Sequence, residues 1–251
     1  MRTSNPALRD SVFENARQGM MVGQPAMTIS GTVNKTGILL LITTAMAALS
    51  WNLCYSAPGS EVSSSLLYPI MMGGTFGGLI FSLITIFKKT AAPFTAPVYA
   101  ALEGLALGAI SVVFEQRYPG LAFQAVLGTF GTLFALLGAY KTGLIQATEK
   151  FKLGVMAATG GVAMIYVLTM IMGFFGVHVP YVHEGGPIGV GFSIVVVIIA
   201  ALNLVLDFDF IESGARAKAP KYMEWYGAFS LLVTLVWLYL EILRMLGKSR
   251  D

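Results

Sequence analysis

From Pro187 to Leu206 the chain runs twenty residues without an Asp, Glu, Lys or Arg. At the helical rise that run matches the hydrocarbon thickness of a bilayer, about 20 residues, and no stretch so apolar belongs on the surface of a water-soluble domain. Runs of the same kind lie near 37–56, 66–87, 94–115, 120–140, 153–177 and 224–247, and the one at 187 extends to about 208. None alternates with the period of two that a barrel strand needs. Backbone in lipid must satisfy its own hydrogen bonds, so each run is expected as a helix. The fold class is all-α: a polytopic membrane protein, a bundle of seven transmembrane helices. Hydrophobic residues make up 56% of the chain, charged ones 12%, and the mean hydropathy is +0.74. With seven spans in 251 residues, no separate soluble catalytic domain fits.

The division that follows is a polar amino-terminal tail over 1–36, a membrane domain over 37–247 and a short tail over 248–251. The tail is not laid out as a cleaved signal peptide, whose apolar core would stand closer to the start, and it is expected as cytoplasmic, folded as a short interfacial helix or disordered. Twelve of the sixteen Lys and Arg fall in segments on the side of the amino terminus. The excess of positive charge inside then sets the amino terminus in the cytoplasm and the carboxyl terminus outside, with the basic end KSR as the discordant feature. Scattered through loops, a net charge of +3 carries no sign of a nucleic-acid partner. Cys54, the single cysteine, is expected as a small buried apolar side chain. No internal repeat is visible. Gly73, Gly74, Gly77 and Gly78 in the second span, and Gly104 and Gly108 in the third, are spaced for close helix packing, the plainer reading, or for a dimer seam.

Three spans bring a carboxylate into the apolar region: Glu103, Asp207 and Glu241. A charged Asp at the bilayer centre costs about 2.5–3.5 kcal/mol on insertion scales, so such side chains face protein or water rather than lipid. Asn203 and Asp207 stand four apart on one face of the sixth helix, while Asp209 projects from another side. If Asp207 and Glu241 met at about 4 Å, their repulsion would be about 4 kcal/mol at an effective dielectric near 20, and the two would share a proton or hold a cation. The plainer alternatives are an ordinary solvated helix end for Asp209 and Glu212, and an ion pair of Glu241 with Arg244 in its own helix. Glu103 is either part of an ion path or a buried polar clamp. Depth is an obstacle to the pair, since Glu241 lies about 27 Å into a helix that starts beside the end of the sixth.

Other chemistry finds little support. The loop HVPYVHEGGP carries His178, His183 and Glu184, but Pro187 stands where a zinc protease motif needs its second His. There is no nucleophile elbow, phosphate loop or cysteine pair. GVGF at 189–192 lacks the Gly-Asp of an intramembrane aspartyl protease. The chain is expected not to be an enzyme and to need no cofactor.

The ordered segments APVYAALEGLALGAISVVFE, AYKTGLI, LVLDFDFIE and LVWLYLEILRML resemble the Bax-inhibitor family, the transmembrane Bax inhibitor motif proteins, over about 37–247. Within the family they resemble the bacterial YccA and YetJ-like branch, and SNPALRDSVF looks like the opening of one bacterial subgroup. The resemblance implies a seven-helix bundle with the last helix central, in the bacterial inner membrane, acting as a pH-sensitive calcium leak. It places a proton-sharing pair on Asp207 and on Glu241, within LYLE where better-known members carry LYLD. It places the latch on Lys88, where arginine is usual and where lysine gives up bidentate carboxylate geometry. The second-helix glutamate of the YetJ-like members falls near Gly77, so part of the ion path is replaced, with Glu103 the candidate. Hard cations take oxygen ligands, which makes Ca²⁺ the ion expected at Glu103, Asp207 and Glu241, with Asn203 and Asp209 along the path. The alternative is a non-transporting modulator of a membrane protease or stress-response partner, recruited through the polar tail.

Overall fold

The computed structural model describes residues 25–55, 64–176 and 186–250. The interfacial helix expected in the first residues, and His178, His183 and Glu184, lie outside them. Seven long helices follow in order: α1 (Ile29–Cys54), α2 (Ser64–Phe87), α3 (Ala92–Arg117), α4 (Leu121–Lys141), α5 (Glu149–Phe174), α6 (Pro187–Arg216) and α7 (Met223–Lys248). A single 3₁₀ turn, Lys89–Ala91, links α2 to α3. All seven are long and apolar enough to cross a membrane, and among the described residues no strand forms. The all-α expectation therefore holds.

Two helix ends lie beyond the apolar runs. α1 begins at Ile29 rather than near residue 37, and α6 continues to Arg216 rather than stopping near 208. Hydropathy marks where lipid ends, whereas a helix ends where its backbone is capped. Thr28 caps α1, its Oγ1 accepting from Gly31 N at 3.0 Å, and Thr32 and Thr36 are buried within the polar first turns.

The described residues divide into two compact units, one of those within 25–117 and 210–233, the other of those within 118–209 and 234–250. In the first, α3 packs against both α1 and α2 along small residues. A Cβ on Gly104 would overlap Thr43 O, and one on Gly108 would overlap Ala47 O. One on Gly74 would stand 2.7 Å from Leu102 O and 2.8 Å from Ala106 N. Helix packing is thus what these glycines serve. Thr43 Oγ1 adds a hydrogen bond across the α1–α3 seam, to Ala100 O at 3.2 Å. Cys54 is free and buried, against Leu67, Ala109 and Val112.

Large apolar side chains elsewhere point outward, Leu41, Phe76, Phe87, Phe134, Met164 and Leu168 among them. In water such a surface would be an aggregation hazard; in hydrocarbon it costs nothing. Burial is unequal among the spans: 61% of the most apolar window of α7 is inside the protein against 11% for α5. By this measure the last helix is the most enclosed span and α5 the least.

Candidate functional site: a file of polar groups and a buried acid clasp

Within the second unit, three cross-helix contacts set the register of α5 against α6. Lys152 Nζ meets Asp209 Oδ2 at 2.7 Å, Asn203 Nδ2 donates to Thr159 Oγ1 at 2.8 Å, and the rings of Tyr166 and Phe192 stand 6.4 Å apart edge to face. Asn203 Nδ2 also donates to Ile199 O at 2.8 Å, which fixes the orientation of its amide. At the far end Lys248 Nζ, buried, donates to Ser193 Oγ at 3.0 Å and to Gly189 O at 3.5 Å, tying the end of α7 to the start of α6. Polar groups therefore stand at intervals along α6, Asp207, Asn203 and Ser193 inside the apolar run and Asp209 on another side at its end. The sixteen helical steps between Ser193 and Asp209 span about 24 Å, most of a hydrocarbon layer.

Glu241 and Asp207 are both buried, at 2% and 4% exposure. Glu241 Oε1 accepts from Tyr166 OH at 2.9 Å, from Arg244 Nη1 at 2.9 Å and from Trp237 Nε1 at 3.3 Å. Arg244 Nη1 also donates to Tyr166 OH at 2.9 Å, and its guanidinium lies 5.3 Å from the centre of that ring. Glu241 Oε2 is buried and, among the described residues, has no hydrogen-bond partner. The plainer reading of Glu241, a pair with Arg244 one turn on, is thus present, but it satisfies only half of the carboxylate.

The Lys248–Ser193 contact fixes the depth of the acids. Fourteen residues from that contact toward the α6–α7 turn, forward along α6 and back along α7, stand Asp207 and Thr234, at one level. Glu241 is level with Ala200, about 10 Å along from Asp207 at the helical rise. The two acids stand in series along the file rather than side by side. The depth difference visible in the sequence persists because α6 and α7 join through a short turn, 217–222, and leave it at matched heights.

The other expected residues separate. Asp209 is bound by Lys152, which also reaches Glu149 Oε1 at 3.5 Å, so it behaves as a paired helix end, as does Glu212 with Arg216 at 3.7 Å. Glu103 belongs to the first unit, where its carboxyl lies over Gly78: a Cβ there would be 2.6 Å from Glu103 Oε2. Lys88 is exposed at the end of α2, and beside it Lys89 holds its ammonium 5.6 Å from the centre of the Tyr226 ring.

A second acidic centre, Glu224, does not stand out in the residue pattern. It is fully buried in the first turn of α7, and four donors converge on it. Thr28 N and Thr28 Oγ1 reach Oε1 at 3.0 and 2.9 Å, Lys221 Nζ reaches it at 2.7 Å, and Lys35 Nζ bonds Oε2. Met27 N donates to Ala219 O at 2.7 Å beside them, and Ala26 pairs with Pro220 in an isolated antiparallel bridge. Gly31 makes room, since a Cβ there would overlap the Glu224 carboxyl. The start of α1 is thereby clasped to the α6–α7 turn. KYMEW reads as an ordinary first turn and Lys35 as part of a solvated tail; the signal available was the Thr28 cap followed by a glycine.

Seven apolar spans with buried acids, and polar side chains at intervals along the sixth, define a polytopic helical membrane protein with polar groups inside its apolar segments. The family model described as Bax inhibitor 1 like matches residues 5–251, and the chain belongs to that family. Comparison with curated proteins and with solved structures returned no match.

Proposed function

We propose that the chain is a pH-sensitive leak for hard cations, Ca²⁺ above all, in the inner membrane of a bacterium of the YccA and YetJ-like branch. The observation that carries this reading is the set of oxygen-bearing side chains at intervals through about 24 Å of α6, with a half-satisfied carboxylate on α7 at a level within that length. Hard cations are held by carboxylate, amide and hydroxyl oxygens, and the file offers these without sulfur or imidazole. An intramembrane acid facing protein is costly to keep unless it does work, and transport of ions or protons is the usual work. Protonation removes a carboxylate as a cation ligand, so conduction rises with pH and falls on acidification. Asp207 and Glu241 are the proton-responsive acids, acting in turn as the ion passes, and Glu103 serves the first unit.

The test is Ca²⁺ entry into proteoliposomes over a series from acid to mildly alkaline pH. The wild type is expected to conduct more as pH rises. Asp207→Asn with Glu241→Gln is expected to lose that dependence and to pass about tenfold less Ca²⁺ at the alkaline end, the scale of one lost charge-assisted ligand contact. Equal flux in the two proteins at every pH removes the proposal and leaves the membrane-partner reading.

A further inference from the structure

We infer that Arg244 is a tethered cation that occupies the ion position at Glu241, so that a passing divalent ion must displace it. The inference deepens the leak reading and rests on it. Three donors crowd Glu241 Oε1 while Oε2, equally buried, has none among the described residues. A buried acceptor without a donor costs about 1–3 kcal/mol, a cost that a clamp engaging both oxygens would avoid. Oε2 is the coordination position left open to a cation, and Arg244 is the charge already in place beside it.

The geometry makes Arg244 movable without making it free to leave. Its side chain is 36% exposed, whereas that of Glu241 is 2% exposed. It lies three residues along the same helix, so its local concentration at the carboxylate never falls. It is held from the other side by the Tyr166 hydroxyl and ring face, contacts that a guanidinium can break and remake by rotating its stem. Among the described residues, the titratable and charged groups that face Glu241 include Tyr166 from α5 and Arg244 and Lys248 from α7 itself, with Asp207 on α6 at a level about 10 Å away. From α4 the neighbour of this turn of α7 is Gly128, against Ile242, which carries no charge.

A monovalent ion brings no more charge than the guanidinium it would replace, and it gains little by the exchange. A divalent ion brings twice the charge and binds Oε2 as well as Oε1. Arg244 thus acts as a filter against Na⁺ and K⁺ without a built cage for Ca²⁺.

The experiment uses Trp237, whose indole donates to Glu241, as the reporter. In the full chain carrying Trp51→Phe and Trp225→Phe, Trp237 is the only tryptophan left of three, and its emission is followed during Ca²⁺ titration in detergent. Arg244→Gln is expected to respond at about tenfold lower Ca²⁺ than the parent, and its Ca²⁺ flux at neutral pH to rise about tenfold, the scale of one hydrogen bond to a charged group. Arg244→Lys, which keeps the charge, is expected within about twofold of the parent, a rescue that a purely structural role for the arginine would not predict. Tyr166→Phe, which removes one anchor and keeps the ring, should shift the midpoint in the same direction as Arg244→Gln and by less; it serves where the glutamine variant fails to fold. Coincident Ca²⁺ midpoints in the parent, Arg244→Gln and Tyr166→Phe overturn the inference. If Trp237 responds as expected while no variant conducts, the leak reading fails and the cation position stands. If the parent conducts and Arg244→Gln changes neither midpoint nor flux, the reverse holds.

Discussion

A chain carrying Gly104→Leu together with Gly108→Leu will not yield folded protein from the membrane, while Gly131→Ala will yield as much as the parent. At Gly104 a Cβ would overlap the backbone oxygen of Thr43 and stand 2.9 Å from the Met46 Cβ. At Gly108 it would overlap Ala47 O and stand 2.9 Å from the Cα of Ala47 and the Cβ of Ser50. These neighbours are mostly backbone, and backbone does not rotate away. Only separation of α1 from α3 relieves the overlap, which undoes the seam that Thr43 bonds across. Overpacking in a close-packed interior costs about 1–3 kcal/mol for a single added group, and a leucine adds four carbons at each of two sites on one stripe. Lipid supplies no hydrophobic drive to hold the helices together once contact is lost. Gly131 has no neighbour within 4 Å, so alanine there adds only the helix preference, up to about 1 kcal/mol in its favour. The measurement is the fraction of detergent-extracted protein eluting as a single species, with its thermal midpoint; equal midpoints for the three chains would mean that the seam is not what holds this unit.

Glu224→Gln is the second large effect, an expected loss of about 3 kcal/mol or more in unfolding free energy, because it strips the charge from a buried group that two lysines and Thr28 address. Glu224 is wholly buried, and Lys35 keeps 17% of its side chain exposed, so the ammonium left behind is poorly hydrated. Lys221→Ala, at the half-exposed end of the same cluster, should cost less than about 1 kcal/mol, since its ammonium is mostly solvated. The difference between these two substitutions separates a buried clasp from a surface charge pair. Thermal unfolding in one detergent measures it, and amide exchange at Met27, which bonds Ala219 O, reports whether the clasp opens before the bundle does. A glutamine variant as stable as the parent would show that Glu224 carries no net stabilisation.

Much of the fold was legible because apolar length is a property of the residues alone. The seven runs and the small-residue stripes needed no tertiary information, and Gly74, Gly104 and Gly108 do what their spacing implies. The ends of α1 and α6 were not legible, because capping by Thr28 and contacts made across the unit extend a helix past the last apolar residue. Among the site residues, Asp207 and Glu241 declared themselves as acids within apolar runs, and both are buried. Their partners were hidden. Tyr166 reads as one more interfacial aromatic and Thr159 as one more small residue, and only the register of α5 shows that they address Glu241 and Asn203. Glu224 was hidden for the opposite reason. It lies at a polar boundary, where an acid in the first turn of a helix needs no further explanation.

The clasp has a consequence for how the chain is made. The bonds from Thr28 to Glu224 join residues 196 positions apart. At a synthesis rate of about 5–20 residues per second, the first span waits some 10–40 seconds for its acid to leave the ribosome. Throughout that time Lys35 has no counter-charge at the clasp, and α1 is committed to the bilayer without its anchor. Closure of the amino-terminal end is therefore a late event in biogenesis, timed by the arrival of the seventh helix.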